Sequence, residues 1–169
     1  SGEGDSTMAV DLSASGQQVL VTARTGGRVQ VRTVTADGTL TFESSYADAI
    51  TAAPDRSGGW LLLDGPQVRR IANGSNHDVG SVAPPPGRSA RATIDVLGNA
   101  YIYLGDSSNS LVALAPDGAV RWRIPYPASG ALSPLLATGN GCLLYTLDSD
   151  GMLNEFDTSD GDLVHHAQI

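Results

Sequence analysis

Three aspartates near the end of the chain form the densest group of residues that could bind a metal. Asp148 and Asp150 stand in an Asp-Ser-Asp-Gly segment, and Asp157 follows a short distance later. Ca²⁺ takes roughly six to eight oxygen ligands, and this segment is spaced like the start of a calcium-binding loop. Ser159 stands where such a loop would carry its last glutamate, and Asp-x-Asp-Gly is also a common turn sequence. We predict turns here and keep Asp148, Asp150 and Asp157 as calcium candidates.

The residues that could act as nucleophiles or bases lack the neighbours that catalysis needs. His165 and His166 are adjacent, so on a strand they point to opposite faces and cannot easily hold one ion. Ser107 has no histidine in a matching context and no Gly-x-Ser-x-Gly elbow around it. Cys142, the single cysteine, lies in an apolar run and is expected to be a small buried side chain. We therefore predict no catalytic residues and no enzymatic activity.

The charge and hydropathy of the chain disfavour several classes of partner. The formal net charge is −8 and the isoelectric point is about 4.5, so the surface repels phosphate and disfavours both nucleic acid and an anionic membrane surface. The longest apolar runs, such as Trp60 to Leu63, are far shorter than the roughly 20 residues of a membrane-spanning helix. We expect no nucleic-acid partner and no membrane insertion, and we expect residues 1–7 to be a linker.

Similar apolar runs divide the chain into units of equal length. A turn rich in small or polar residues precedes each run, and a second turn and another strand follow it. Asp-Gly and Asn-Gly pairs separate several of these strands, and such pairs favour hairpins because they tolerate a positive φ. The pattern predicts repeats of short strands rather than helices. The runs begin 41 residues apart, at Val19, Trp60, Tyr101 and Cys142.

Each unit holds four predicted strands. Four short antiparallel strands in about 40 residues are typical of a β-propeller blade. We therefore predict an all-β fold of four four-stranded antiparallel blades, which would be a partial propeller or half of an eight-bladed ring. The leading strands are predicted at 8–12, 49–53, 92–96 and 133–138, and the blades span approximately 8–46, 47–86, 87–127 and 128–169.

The third unit carries the residues of a known repeat. Its segment from Leu111 to Trp122 resembles the repeat of the PQQ-like, or quinoprotein-type, β-propeller family. In that family a tryptophan four residues after the turn glycine packs against the neighbouring blade. Gly118 and Trp122 have that spacing, so the resemblance implies that Trp122 packs between blades.

The other units keep this position with different residues. Phe42 and His165 stand four residues after the turn glycines of the first and fourth units, and the resemblance implies the same blade-packing role for both. The second unit departs from the pattern, because Asp78 follows Gly74 at that distance. Enzymes of the family that use the quinone carry an adjacent-cysteine disulfide, which a chain with one cysteine cannot form. We therefore predict no cofactor.

Propellers bind partners in the central funnel and on the loops at either end. We predict a non-enzymatic binding or scaffold module for a protein or small ligand at the propeller face, in a bacterial secreted, periplasmic or ectodomain setting. The alternative is a fragment of a quinoprotein-like or hydrolytic propeller enzyme whose active residues lie outside this chain. Four blades leave open apolar faces, which a homodimer or the remaining blades of the same protein would cover, unless the four close into a ring.

Overall fold

Strands are the regular secondary structure of the residues that the computed structural model describes. It describes residues 8–12, 16–25, 28–47, 49–55, 59–72, 74–82, 90–105, 109–126 and 135–169. Within these residues there are 16 strands and no helix. The strands form four four-stranded antiparallel sheets, which confirms the predicted fold class. None of the described residues belongs to a helix that could cross a membrane.

The four sheets follow one another along the chain. Sheet I holds β1 (Met8–Leu12), β2 (Gln18–Thr25), β3 (Arg28–Thr35) and β4 (Leu40–Tyr46). Sheet II holds β5 (Ala49–Pro54), β6 (Trp60–Asp64), β7 (Gln67–Ala72) and β8 (Ser75–Ser81). Sheet III holds β9 (Arg91–Ile94), β10 (Ala100–Leu104), β11 (Ser110–Leu114) and β12 (Val120–Pro125). Sheet IV holds β13 (Leu136–Ala137), β14 (Leu143–Leu147), β15 (Met152–Asp157) and β16 (Leu163–Gln168).

Each sheet is a meander in which every strand pairs with the next strand along the chain. The third and fourth strands join through a glycine turn, and Gly38, Gly118 and Gly161 have φ of +86°, +86° and +85° there. Glycine adopts this left-handed region without the steric penalty that a Cβ brings. The first strand of each sheet lies beside the first strand of its neighbour. The sheets therefore radiate from a shared axis, with the fourth strands outermost.

Side-chain alternation along the strands builds the packing between sheets. In β6, Trp60 and Leu62 pack toward sheet I, whereas Leu61 and Leu63 pack toward sheet III. In sheet III every residue of β10 and β11 is buried, because sheet II covers one face and sheet IV covers the other. The protein thus has a separate apolar core at each of its three sheet junctions.

Several predicted boundaries differ from the structure. Strand β9 ends at Ile94 rather than at 96, because Asp95 instead accepts backbone hydrogen bonds from the following turn. Strand β13 contains only Leu136 and Ala137. The predicted linker at 1–7 lies outside the described residues, as do residues 48, 83–89 and 127–134 at the joins between sheets. The blade spans and the linker therefore stay predictions.

Candidate binding site between the first two sheets

A cavity of about 300 Å³ lies between sheets I and II, near their outer strands. Sheet I contributes polar side chains from β2, β3 and β4, and sheet II contributes mainly apolar residues from β6, β7 and the turn after β7. The cavity is therefore polar on one side and largely apolar on the other. Its lining residues are Gln18, Thr33, Thr41, Trp60, Ile71, Ala72 and Gly74.

Small residues keep this cavity open. Gly74 stands in the β7–β8 turn with a φ of +73°, and a Cβ built on it would lie 3.0 Å from the backbone oxygen of Thr41. The turn of sheet II therefore approaches the backbone of β4 closely, and no side chain extends from Gly74 into the space beside it. Thr33 and Thr41 share a hydrogen bond of 2.8 Å between their hydroxyls, which holds both side chains on the sheet I wall.

Trp60, which lines the cavity, carries a buried hydrogen-bond donor without a partner in the described chain. Trp60 is 1% exposed, and its Nε1 has no hydrogen-bond partner among the described residues. An indole N–H can only donate, and leaving a buried donor unsatisfied costs about 1–3 kcal/mol. A group in the cavity that reached this nitrogen would have to combine a hydrogen-bond acceptor with an apolar body, because the surrounding sheet II wall is largely apolar.

The second tryptophan of the chain is in a different environment. Trp122 on β12 packs against sheet IV, where its Nε1 donates to the backbone oxygen of Thr158 at 2.9 Å. Its ring lies on Gly161, since a Cβ built on that glycine would come within 2.9 Å of the ring atom Cε3. The ring of Tyr101 lies beside it, with the ring centroids 5.9 Å apart. Trp122 therefore fills the outer part of the junction between sheets III and IV.

The other two residues predicted to pack between blades have different burial. Phe42 is partly buried and packs against the core between sheets I and II. His165 is exposed on β16, where it pairs with Glu155 on the face of sheet IV that points away from sheet III. No further sheet lies against that face within the described residues. A packing role for His165 therefore requires another sheet and stays a prediction.

The second sheet departs from the repeat because its β-bulge is displaced. The register shifts between Val68 and Arg69 in sheet II, whereas in the other sheets the shift lies next to the glycine turn. As a result, His77 pairs with Arg70 and takes the place that counting from the turn glycine assigned to Asp78. Asp78 instead forms an ion pair with Arg69 at 2.8 Å.

The calcium candidates are not brought together. Asp148 and Asp150 lie in the turn before β15, whereas Asp157 lies at the opposite end of that strand. Asp148 accepts the backbone N–H groups of Asp150 and Met152, so its carboxylate stabilises its own turn. Hydrogen bonds from Ser159 lower the pKa of Asp157. In the part of the chain that the structure describes, no three His, Cys, Asp or Glu side chains are grouped to hold a metal ion.

The expectation that Cys142 is buried is wrong, because this residue is exposed. Strand β14 begins only at Leu143, so Cys142 belongs to the preceding turn rather than to the strand core. There its backbone N–H donates to the side chain of Asn140 at 3.1 Å. The apolar run in the sequence therefore extends one residue beyond the strand.

A buried polar cluster in sheet III was not predicted. Asp95 is 1% exposed and accepts hydrogen bonds from the Tyr101 hydroxyl and the Asn99 side chain, both at 2.8 Å. Burial, followed by the bond to Asp95, raises the pKa of Tyr101 to about 12. The sequence signal was an aspartate followed by glycine and asparagine, which is typical of a turn closed by an aspartate side chain.

The sheets and their arrangement define a β-propeller repeat protein with a cavity between two of its blades. The family described as "Outer membrane protein assembly factor BamB" matches residues 64–168, which is more than half of the chain. The chain belongs to this PQQ-like repeat family, and the resemblance seen in the third unit is thereby confirmed. No curated protein matches the sequence.

Two solved structures are similar to the chain. A protein of unknown function from Bacteroides caccae has a TM-score of 0.68 and 13% identity, and the match covers 99% of this chain and 62% of that protein. BamB from Moraxella catarrhalis has a TM-score of 0.68 and 14% identity, and the match covers 95% of this chain and 48% of that protein. These likenesses show the fold alone, and the chain spans less than two thirds of either structure.

Proposed function

We propose that the chain is a non-enzymatic binding module that holds a segment of a protein partner, with one attachment point in the cavity between sheets I and II. The observation that carries the proposal is the unpaired Nε1 donor of buried Trp60 beside that cavity. A peptide carbonyl or a side-chain amide next to an apolar side chain has the chemistry to fill it. The volume lies at the lower end of the roughly 300–1,000 Å³ that ligand pockets span, which suits one side chain of a longer segment.

The family supports a protein as the partner and an extracytoplasmic location. Its description names an assembly factor for outer membrane proteins, so a bacterial secreted or periplasmic setting fits this chain. The net charge of −8 disfavours a nucleic-acid partner. The proposed role needs no cofactor. A quinone-type absorbance or stoichiometric calcium in the purified protein would contradict a non-enzymatic module and favour the enzyme-fragment alternative.

The two tryptophans make the proposal directly testable. In ¹⁵N-labelled protein they give two indole Nε1–H resonances, which the Trp122→Phe variant assigns. Titration with N-acetyl-leucinamide, which combines amide oxygens with an aliphatic body, should shift the Trp60 resonance saturably and leave the Trp122 resonance in place. The Thr41→Phe variant places a ring on the sheet I wall beside Thr33, which fills the cavity and should abolish the shift. An unmoved Trp60 resonance, or equal shifts of both resonances, would refute the site.

A further inference from the structure

An asparagine–glycine pair forms the tip of the turn between β13 and β14. Asn140 is exposed there, Gly141 follows it, and the Cβ position of Gly139 before it meets open space. Asparagine is one of the chemically labile residues of proteins, and a following glycine has no side chain to shield its backbone nitrogen. The sequence holds a second such pair, but its Asn73 lies outside the described residues. The turn at Asn140 is therefore a described place where the chain can modify itself.

Solvent access at Asn140 does not depend on what lies beyond sheet IV. The equivalent turn of sheet III joins β9 and β10, and its Gly98 closes the turn with the same backbone hydrogen bond as Gly141. Leu97 holds the place of Asn140 in that turn, and it is 67% exposed although sheets II and IV flank sheet III on both sides. A further sheet beside sheet IV would therefore leave Asn140 accessible to water.

Hydrogen bonds hold the two reactive groups of this pair in place. The side-chain oxygen of Asn140 accepts the Thr138 hydroxyl at 2.7 Å and the Cys142 N–H at 3.1 Å. The backbone N–H of Gly141 donates to the carbonyl oxygen of Thr138 at 3.0 Å. The nitrogen can therefore attack the side chain only after this turn opens. Such opening is local, because β13 contains two residues and lies at the edge of its sheet.

Three other turns of the protein show that an aspartate fits the position of Asn140. Asp37, Asp117 and Asp160 each precede a glycine of positive φ. Each of them accepts the N–H group two residues further along the chain, as Asn140 does. Replacing the amide by a carboxylate therefore preserves the turn. An isoaspartate, in which the chain continues through the side-chain carboxyl group, lengthens the backbone by one atom, so the turn cannot close with the same hydrogen bonds.

The carbonyl group of Gly141 connects this turn to the junction between sheets III and IV. It accepts the buried hydroxyl of Thr158 at 2.6 Å, and the backbone oxygen of Thr158 accepts the Trp122 indole N–H at 2.9 Å. A Cβ built on Gly141 would lie 3.4 Å from the carboxylate of Asp95 in sheet III. A longer backbone at position 140 must therefore displace Thr158, and with it the hydrogen-bond acceptor of Trp122.

We propose that Asn140 is a site of spontaneous deamidation, and that its isoaspartyl product loosens the junction between sheets III and IV. The Gly141 nitrogen loses its proton and bonds to Cγ of Asn140, the Cγ–Nδ2 bond breaks, and ammonia leaves behind a succinimide ring. Water then opens either carbonyl of the ring, which gives aspartate or isoaspartate and adds one negative charge to the net −8. The Trp60 cavity takes no part, so this inference is independent of the proposed function.

Ageing of the folded protein tests the proposal. Wild type, Thr138→Val and Asn140→Asp are incubated in mildly alkaline buffer below their melting temperatures, and a synthetic peptide of residues 136–145 serves as the unfolded reference. Peptide mapping by mass spectrometry follows the conversion at position 140, and labelling with isoaspartyl methyltransferase measures the isoaspartate formed. Spectra of ¹⁵N-labelled protein follow the indole resonance of Trp122, and circular dichroism checks that each variant is folded.

Asn140 should convert more slowly in the wild type than in the peptide. Thr138→Val should accelerate the conversion roughly two- to tenfold, the factor expected for one lost hydrogen bond. Thr35→Val loosens the matching turn of sheet I and should leave the rate at Asn140 unchanged. The Trp122 resonance should move as isoaspartate forms and should keep its position in Asn140→Asp. No conversion of Asn140 after the peptide has fully converted, equal rates in wild type and Thr138→Val, or an unmoved Trp122 resonance would overturn the proposal.

Discussion

The junction between sheets I and II and the junction between sheets III and IV each bury a tryptophan, but from opposite sides. Between III and IV, Trp122 comes from the preceding sheet and lies on Gly161, with its indole nitrogen bonded to the backbone of Thr158. Between I and II, Trp60 comes from the following sheet, and its indole nitrogen has no partner in the described chain. The junction between sheets III and IV is therefore filled by side chains, whereas the junction between sheets I and II contains a cavity.

The difference lies in which side chains the outer strand supplies. At the III–IV junction, the aromatic rings of Tyr126 and Phe156 meet edge to face at 5.6 Å and belong to the same core cluster as Trp122. At the I–II junction, Thr33 and Thr41 occupy the outer region and bond to each other instead of filling it. A few substitutions on the outer strands of a blade can thus replace packed side chains with a cavity and leave the hairpins unchanged.

The largest effect is expected from removing the packing aromatic. Trp122→Ala should lower the free energy of unfolding by about 3–5 kcal/mol, as large-to-small changes in a tight core do. Phe42→Ala, at the equivalent position of the hollow junction, should lower it by roughly half as much, because Phe42 is only partly buried. Urea unfolding monitored by circular dichroism measures both changes. Equal losses would mean that the two junctions are packed alike.

A smaller effect on stability should distinguish Gly161 from Gly38, the hairpin glycines of sheets IV and I. Gly161→Ala and Gly38→Ala both place a side chain at a φ near +85°, which costs about 1–2 kcal/mol in either turn. At Gly161 the methyl group must also displace the ring of Trp122, and such overpacking adds roughly 1–3 kcal/mol. Gly38→Ala meets open space and serves as the matched control. A Gly38 variant as unstable as the Gly161 variant would show that the Gly38 turn is already covered in solution.

The two indole N–H groups provide the next test. Trp122→Phe leaves the oxygen of Thr158 without its donor in a buried site and should lower the free energy of unfolding by about 1–3 kcal/mol. Trp60→Phe removes a buried donor that has no described acceptor, and the relief of that penalty, about 1–3 kcal/mol, should offset the packing lost with the smaller ring, so the net effect should be close to zero. The difference between the denaturation midpoints of the two variants measures how much more stability Trp122→Phe loses than Trp60→Phe. A Trp60→Phe variant as unstable as Trp122→Phe would reveal a partner for the Trp60 indole.

The smallest effect concerns pH. The pKa of Tyr101 is about 12 in the folded protein, above the value near 10 of an exposed tyrosine. The folded state therefore holds this proton more tightly, so the resulting stability is complete below pH 10 and is lost as the pH rises toward 12. Between pH 10 and 12 the wild type should lose more stability than Tyr101→Phe. Leu20 occupies the position in sheet I that Tyr101 occupies in sheet III, and its aliphatic side chain has no proton to lose. Parallel pH profiles for wild type and variant would rule out the raised pKa of Tyr101.

Local turn chemistry made the fold predictable. The spacing of Gly118 and Trp122 is set within one hairpin, so the sequence located the turn, and the family resemblance supplied the expectation that Trp122 packs between blades. His165 was placed by the same count, but its surroundings depend on a neighbouring sheet. The exchange of Asp78 for His77 followed from a bulge at Val68, and the only nearby sequence sign was Gly80, a glycine inside the strand.

The candidate site was not predictable in the same way. Thr33, Thr41 and Trp60 belong to three strands in two sheets, and only tertiary packing decides that space remains among them. The calcium candidates do not lie together for a related reason, since the whole of β15 separates Asp148 from Asp157. Aspartates close in sequence lie far apart when an extended strand, at roughly 3.3 Å per residue, stands between them.

The burial of sheet III between sheets II and IV determines the order in which parts of the protein unfold. Since every side chain of β10 and β11 is buried, both faces of these strands reach solvent only when sheet III separates from both neighbours. Their amide protons should therefore exchange with deuterium only through global unfolding, whereas those of the exposed outer strands β8 and β16 exchange through local fraying. A protease would find its first cleavage sites at the outer strands, and the centre of sheet III would be the last segment to be degraded.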